Sequence, residues 1–128
     1  MSMINKPNTI KVGWKDIRIE YVDPTFKKYN ADYWGQFIAR KGLIEIQREA
    51  QGDDLANTLL HEVLHAIVYT SSLNSEGGAL EEDKDEEQVV NSICNHLMGV
   101  FKDNPWLLGW LQEQIKPENQ KPVQKNLL

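Results

Sequence analysis

The feature that most constrains this chain is the pentapeptide His61-Glu62-Val63-Leu64-His65, set inside the apolar run LANTLLHEVLHAIVY. Residues four apart share one face of an α-helix, so a helix here puts two imidazoles where both can grip one metal ion. Glu62 leaves the helix at an angle to them and can reach a metal-bound water rather than the metal. The H-E-x-x-H pattern on a helix therefore points to two zinc ligands and a general base. The chain has only three histidines, and two of them are in this motif. Two polar rings on an otherwise apolar helix need strong partners, and a metal ion is such a partner.

The surroundings of the motif predict its place in a fold. From Leu55 to Tyr69, apolar residues fall on nearly every side, as in a buried helix, so the motif helix is expected to be central. Asp53 or Asp54 is the expected N-cap, because a carboxylate there accepts orphan backbone N–H groups. Upstream, residues 10–12 and 17–22 alternate apolar and polar, which predicts two strands joined by a hairpin or bulged bend at Gly13-Trp14-Lys15-Asp16. Leu43-Ile44-Glu45-Ile46-Gln47 is a third strand candidate. Residues 25–37 are ambiguous, with Asn30-Ala31-Asp32 and Gly35 as turn material.

Downstream, residues 71–80 predict a connection, and the acidic run Glu81 to Glu87 predicts a helix start. Val90, Ile93, Cys94, Leu97, Met98 and Phe101 keep helical spacing and predict one buried face. Asp103-Asn104-Pro105 breaks that helix. Trp106 to Ile115 predicts a short amphipathic helix with Trp106 and Trp110 as core anchors, or else as a partner surface. The expected fold class is α+β, with a small antiparallel or mixed sheet of about three strands. That sheet packs on a central HExxH helix, followed by a second, ligand-bearing helix and a short C-terminal helix. Residues 1–115 are expected to form a single domain, and 116–128 a poorly ordered tail.

Catalytic zinc usually has three protein ligands and an open position, so a third ligand must come from outside the motif. Helical spacing from Glu87 through Val90, Asn91 and Cys94 can turn Glu87 inward, and Glu86, aligned with Val90, Ile93 and Leu97, is the alternative. Cys94 could offer a thiolate, but its place on an apolar face reads as core. Asn91 could hydrogen-bond a ligand imidazole. Tyr33, Tyr69 and His96 are candidates for stabilising an oxyanion.

Composition narrows the partners. A net charge of −5 argues against a nucleic-acid-binding surface, which is normally basic. One cysteine excludes a disulfide within the chain. MSMINKPNTI has no apolar signal-like core, and no apolar run is long enough to span a bilayer. The expectation is a cytoplasmic protein with no membrane or nucleic-acid partner, acting on a protein or peptide.

HEVLHAI, followed on the next predicted helix by Glu87, Val90, Asn91, Ile93, Cys94, Leu97 and Met98, resembles a gluzincin, with two histidines on one helix and a glutamate on the next. The stretch Glu87 to Met98 is similar to that of the ImmA/IrrE-type peptidases, bacterial and mobile-element proteins that cleave repressors. Small phage-encoded metallopeptidase-like proteins resemble the chain more closely in size and order. Thr58-Leu59-Leu60-His61-Glu62 and Asp103-Asn104-Pro105 match that order, and the resemblance covers residues 10–112. It implies a minimal zincin fold in a bacterial host cell. Zn²⁺ would be held by His61, His65 and Glu87, with Glu86 as the alternative third ligand, and Glu62 would be the general base. It also implies an edge strand upstream of the active helix that presents the substrate by strand pairing. Leu43, Ile44, Glu45 and Ile46 fit that place. The competing reading is a zinc-stabilised protein-binding module without useful catalysis. Glu62 separates the two, because a purely structural zinc site needs no general base.

Overall fold

The computed structural model describes residues 6–23 and 34–120. Among these residues it is α+β, with a four-stranded mixed sheet and three α-helices. The strands are β1 (Thr9–Val12), β2 (Lys15–Val22), β3 (Gly35–Ile38) and β4 (Leu43–Gln47). The helices are α1 (Gly52–Thr70), α2 (Asp83–Asp103) and α3 (Leu107–Ile115). Contacts divide the chain into two units, Met1–Asn95 and His96–Leu128. The first holds the sheet, α1 and the start of α2.

Sheet order is β1-β2-β4-β3. β1 and β2 form an antiparallel hairpin in which Val12 pairs with Lys15. Its loop, Gly13-Trp14, opens with Gly13 at φ +58°, a left-handed conformation that glycine adopts without a Cβ clash. β4 pairs in parallel with β2 and antiparallel with β3.

Two expectations are corrected here. The sheet has a fourth strand, β3, in a stretch where Gly35 reads as turn material. Gly35 serves close approach instead. A Cβ on it would lie 2.6 Å from Thr58 Cγ2 and 2.9 Å from the Glu45 carbonyl oxygen. Its bare backbone lets β3 lie directly against α1. The second correction concerns Leu43, Ile44, Glu45 and Ile46. They are not an edge, because β4 is hydrogen-bonded to β2 on one side and β3 on the other. The 3-10 turn Ala39–Lys41 folds β3 to the outside of β4. Among the described residues, β1 and β3 are the two edges of the sheet, and Gly35, Gln36 and Phe37 of β3 line the cleft beside the histidines.

Alternation along the strands builds the core. Ile17 and Ile19 of β2 and Ile44 and Ile46 of β4 are buried with Val12, Ala50 and Ala66. Leu55, Leu59 and Val63 of α1 pack against this cluster. α1 begins at Gly52, so Asp53 and Asp54 fall in its first turn rather than at the cap, where they still favour the positive end of the helix dipole. The helix is not buried all round, since Ile67 is 43% exposed.

On α2, Val90 and Cys94 are buried, but Ile93 is exposed and is no part of the expected apolar face. The second unit contains the end of α2, then α3 and the 3-10 turn Pro117–Asn119. Asn119 Nδ2 donates to the Glu113 carbonyl oxygen at 2.7 Å, tying that turn to α3. Trp106 and Trp110 are more than half exposed, so they are not core anchors. Among the described residues, no helix is long and apolar enough to cross a membrane.

Candidate metal centre

Three stripes run along α1. Leu55, Leu59 and Val63 face the aliphatic core. Thr58, Glu62 and Ala66, spaced by four, are buried. Asn57, His61 and His65, also spaced by four, face α2. There Asn57 Nδ2 donates to Asn95 Oδ1 at 3.4 Å, and Cys94 Sγ donates to the Asn57 carbonyl oxygen at 3.4 Å. These contacts, made at the middle of α2, hold that helix alongside the histidine stripe. Cys94 is thereby a core thiol; burial pushes its pKa up, away from the thiolate.

His61, His65 and Glu87 form a group that could hold a metal ion. His61 Nε2 lies 3.2 Å from His65 Nε2 and 3.2 Å from Glu87 Oε1. His65 Nε2 lies 3.3 Å from Glu87 Oε2. Tetrahedral zinc with bonds of about 2.0–2.1 Å separates neighbouring ligand atoms by about 3.3–3.4 Å; the nitrogen–nitrogen spacing is close to that, and one Glu87 oxygen lies within 4.8 Å of both nitrogens. The chemistry of the donor set fits as well. Lone pairs of two imidazoles and a carboxylate converge on one point, and they repel unless a proton or cation lies between them. Burial, then the neighbouring His65, lowers the pKa of His61, while Glu87 works in the opposite sense. Lowering favours the neutral ring, which is the form that binds metals.

Glu86 stands elsewhere. Its Oε2 is 2.6 Å from His65 Nδ1, on the side of the ring away from the converging atoms. Its Oε1 accepts from Asn74 Nδ2 at 3.1 Å. A carboxylate on Nδ1 holds the proton there and leaves the Nε2 lone pair for a metal. The partner of the His65 ring is thus Glu86, not Asn91, which lines the same cleft.

That cleft has a volume of about 580 Å³, and its walls include Gly35, Gln36, Phe37, Glu62 and Tyr69. Glu62 is 5% exposed. Burial pushes its pKa up to about 7; His65 lowers it and Glu87 raises it further. A carboxyl near neutrality can both take and return a proton. The Phe37 and Tyr69 rings meet edge to face with centroids 5.9 Å apart, forming an aromatic wall. Of the expected oxyanion candidates, Tyr69 lines the cleft, His96 is exposed and outside the cleft lining, and Tyr33 lies outside the described residues.

No local pattern marks Asn74, Gly35, Gln36 or Phe37 as site residues. The ambiguous stretch 25–37 was the one available hint, since an unassigned segment just before the motif helix has to pack somewhere. Comparison with protein-family models, curated proteins and solved structures finds no match to this chain.

Proposed function

We propose that the protein is a zinc-dependent peptidase of the zincin type, with a gluzincin ligand set, hydrolysing peptide bonds in a protein or peptide substrate. The observation that carries this reading is the juxtaposition in one cleft of three converging ligand atoms and the buried carboxyl of Glu62. Two imidazoles and one carboxylate match the donor preference of catalytic zinc and leave one position open. Zinc bound there supplies Lewis acidity, which polarises a carbonyl and lowers the pKa of water towards about 7.

The chain's own residues do the rest. His61, His65 and Glu87 hold the ion. Glu62 takes a proton from the attacking water and delivers it to the amine released when the C–N bond breaks. Among the described residues no strand pairs with the outer backbone edge of β3, and an extended peptide would add there as a further strand. Phe37 and Tyr69 line the cleft next to that strand and would receive an apolar side chain. Burying Glu62 has no use in a purely structural zinc site, and this favours catalysis over a binding module.

Metal stoichiometry by elemental analysis tests the reading, on wild type, His61→Ala, Glu86→Ala and Glu87→Ala in parallel. About one zinc per chain in wild type, lost in His61→Ala and Glu87→Ala, is expected for tetrahedral His₂Glu ligation. A peptide-library screen with Glu62→Gln as control then reads turnover. No zinc in wild type after reconstitution would overturn the proposal. Zinc without turnover would leave the binding module.

A further inference from the structure

The connection between α1 and α2 reaches into the metal centre. α1 ends in a Schellman arrangement. The Ser72 N–H bonds to the Tyr69 carbonyl at 3.1 Å, and the Leu73 N–H bonds to the Val68 carbonyl at 3.0 Å. Ser72 takes the left-handed conformation, φ +65°, that this helix end requires. Leu80 N–H then bonds back to the Leu73 carbonyl at 2.8 Å and closes the loop. Asn74 is the next residue after this fixed pair, so the backbone sets its position. Its amide donates to Glu86 Oε1 at 3.1 Å, while Glu86 Oε2 meets His65 Nδ1 at 2.6 Å.

We propose that Asn74 is a positioning residue for the metal centre, acting through Glu86 on His65. This rests on the metal-binding reading above. With Oε1 held by Asn74, the Glu86 carboxylate is fixed in rotation, so that Oε2 stays on Nδ1. That bond fixes His65 as the Nδ1–H tautomer and aims the Nε2 lone pair at the point shared with His61 and Glu87. The same tether keeps Glu86 from swinging round to compete with Glu87 for the ion. Two adjacent glutamates are thereby assigned different tasks by one amide in a loop. Asn74 has no other hydrogen bond among those found in the described residues.

The test pairs two readouts on wild type, Asn74→Ala and Asn74→Asp. The first is zinc affinity by chelator competition. Outer partners of metal ligands are worth about 10–100-fold in affinity. Asn74→Ala is expected at the lower end of that range. Asn74→Asp, which sets two carboxylates against each other, is expected to be weaker still. The second is the His65 tautomer, read by long-range ¹H–¹⁵N NMR of metal-free protein. Wild type is expected to show Nδ1–H, and Asn74→Ala a mixture of tautomers. A purely structural asparagine would lower thermal stability and move neither readout, and that result would overturn the proposal. If wild type binds no zinc, the metal reading fails. The tautomer readout still decides whether Asn74 positions His65.

Discussion

On the sheet side of α1, Leu55, Leu59 and Val63 meet a cluster that includes Ile44 and Ile46, neither of which is exposed. On its cleft side, His61 and His65 meet Glu86 and Glu87 through nitrogen–oxygen contacts of 2.6–3.3 Å. The first side is held by burial of apolar area and needs no partner from solution. The second gathers hydrogen-bonding and ligand atoms, two imidazole nitrogens and a carboxylate, that converge where a cation can join them. One helix can carry both because the sheet side anchors it. The stability of this fold and the competence of its cleft are therefore separable.

The largest effect falls on chemistry alone. Glu62→Gln is expected to lower turnover by about 10²–10⁴-fold, the usual contribution of a general base, with zinc content unchanged. Steady-state kinetics beside elemental analysis reads both, and a loss of zinc in this variant would break the separation. On the opposite side, Ile44→Ala should cost about 2–5 kcal/mol in urea unfolding, as expected for a fully buried aliphatic side chain. The zinc affinity of the fraction that remains folded should be near wild type.

Zinc at a hundred times its dissociation constant should stabilise the wild type by about 2.7 kcal/mol through linkage. It should stabilise His61→Ala hardly at all, and thermal melts with and without the ion show this directly. Gly35→Ala is the point where the two sides meet, because its new Cβ would press on both Thr58 and the β4 backbone. A cost of about 1–3 kcal/mol is expected for this overpacking. Adding Thr58→Ala should recover only part of it, since the Glu45 carbonyl cannot be removed. The smallest effect is a gain. Ser72→Gly should stabilise by up to about 1 kcal/mol, because glycine adopts the left-handed helix end without steric cost. It should leave zinc affinity intact.

Much of this molecule was legible along the chain. The β1–β2 hairpin, β4, α1, α2 and α3 follow from local alternation, helical spacing and breakers such as Asp103-Asn104-Pro105. Those signals act within a few residues and survive any tertiary arrangement. The pairing of His61 with His65 is of the same kind, because helix geometry alone brings them together. Ile93 and Trp110 show the limit of periodicity. Each keeps apolar spacing, yet each is exposed, because spacing names a face without saying whether anything packs against it.

Local pattern alone determined the α+β class, the histidine pair with its adjacent glutamate, and the acidic helix start that supplies further carboxylates. Strand order, and with it the exchange of the edge role from β4 to β3, was decided only in three dimensions, since alternation does not say which strand is a neighbour. The division of labour between Glu86 and Glu87 was decided there too. Consecutive helix residues point about 100° apart, so both can reach one cleft. Which of them meets Nδ1 and which meets Nε2 depends on where α1 and the Asn74 loop stand beside them.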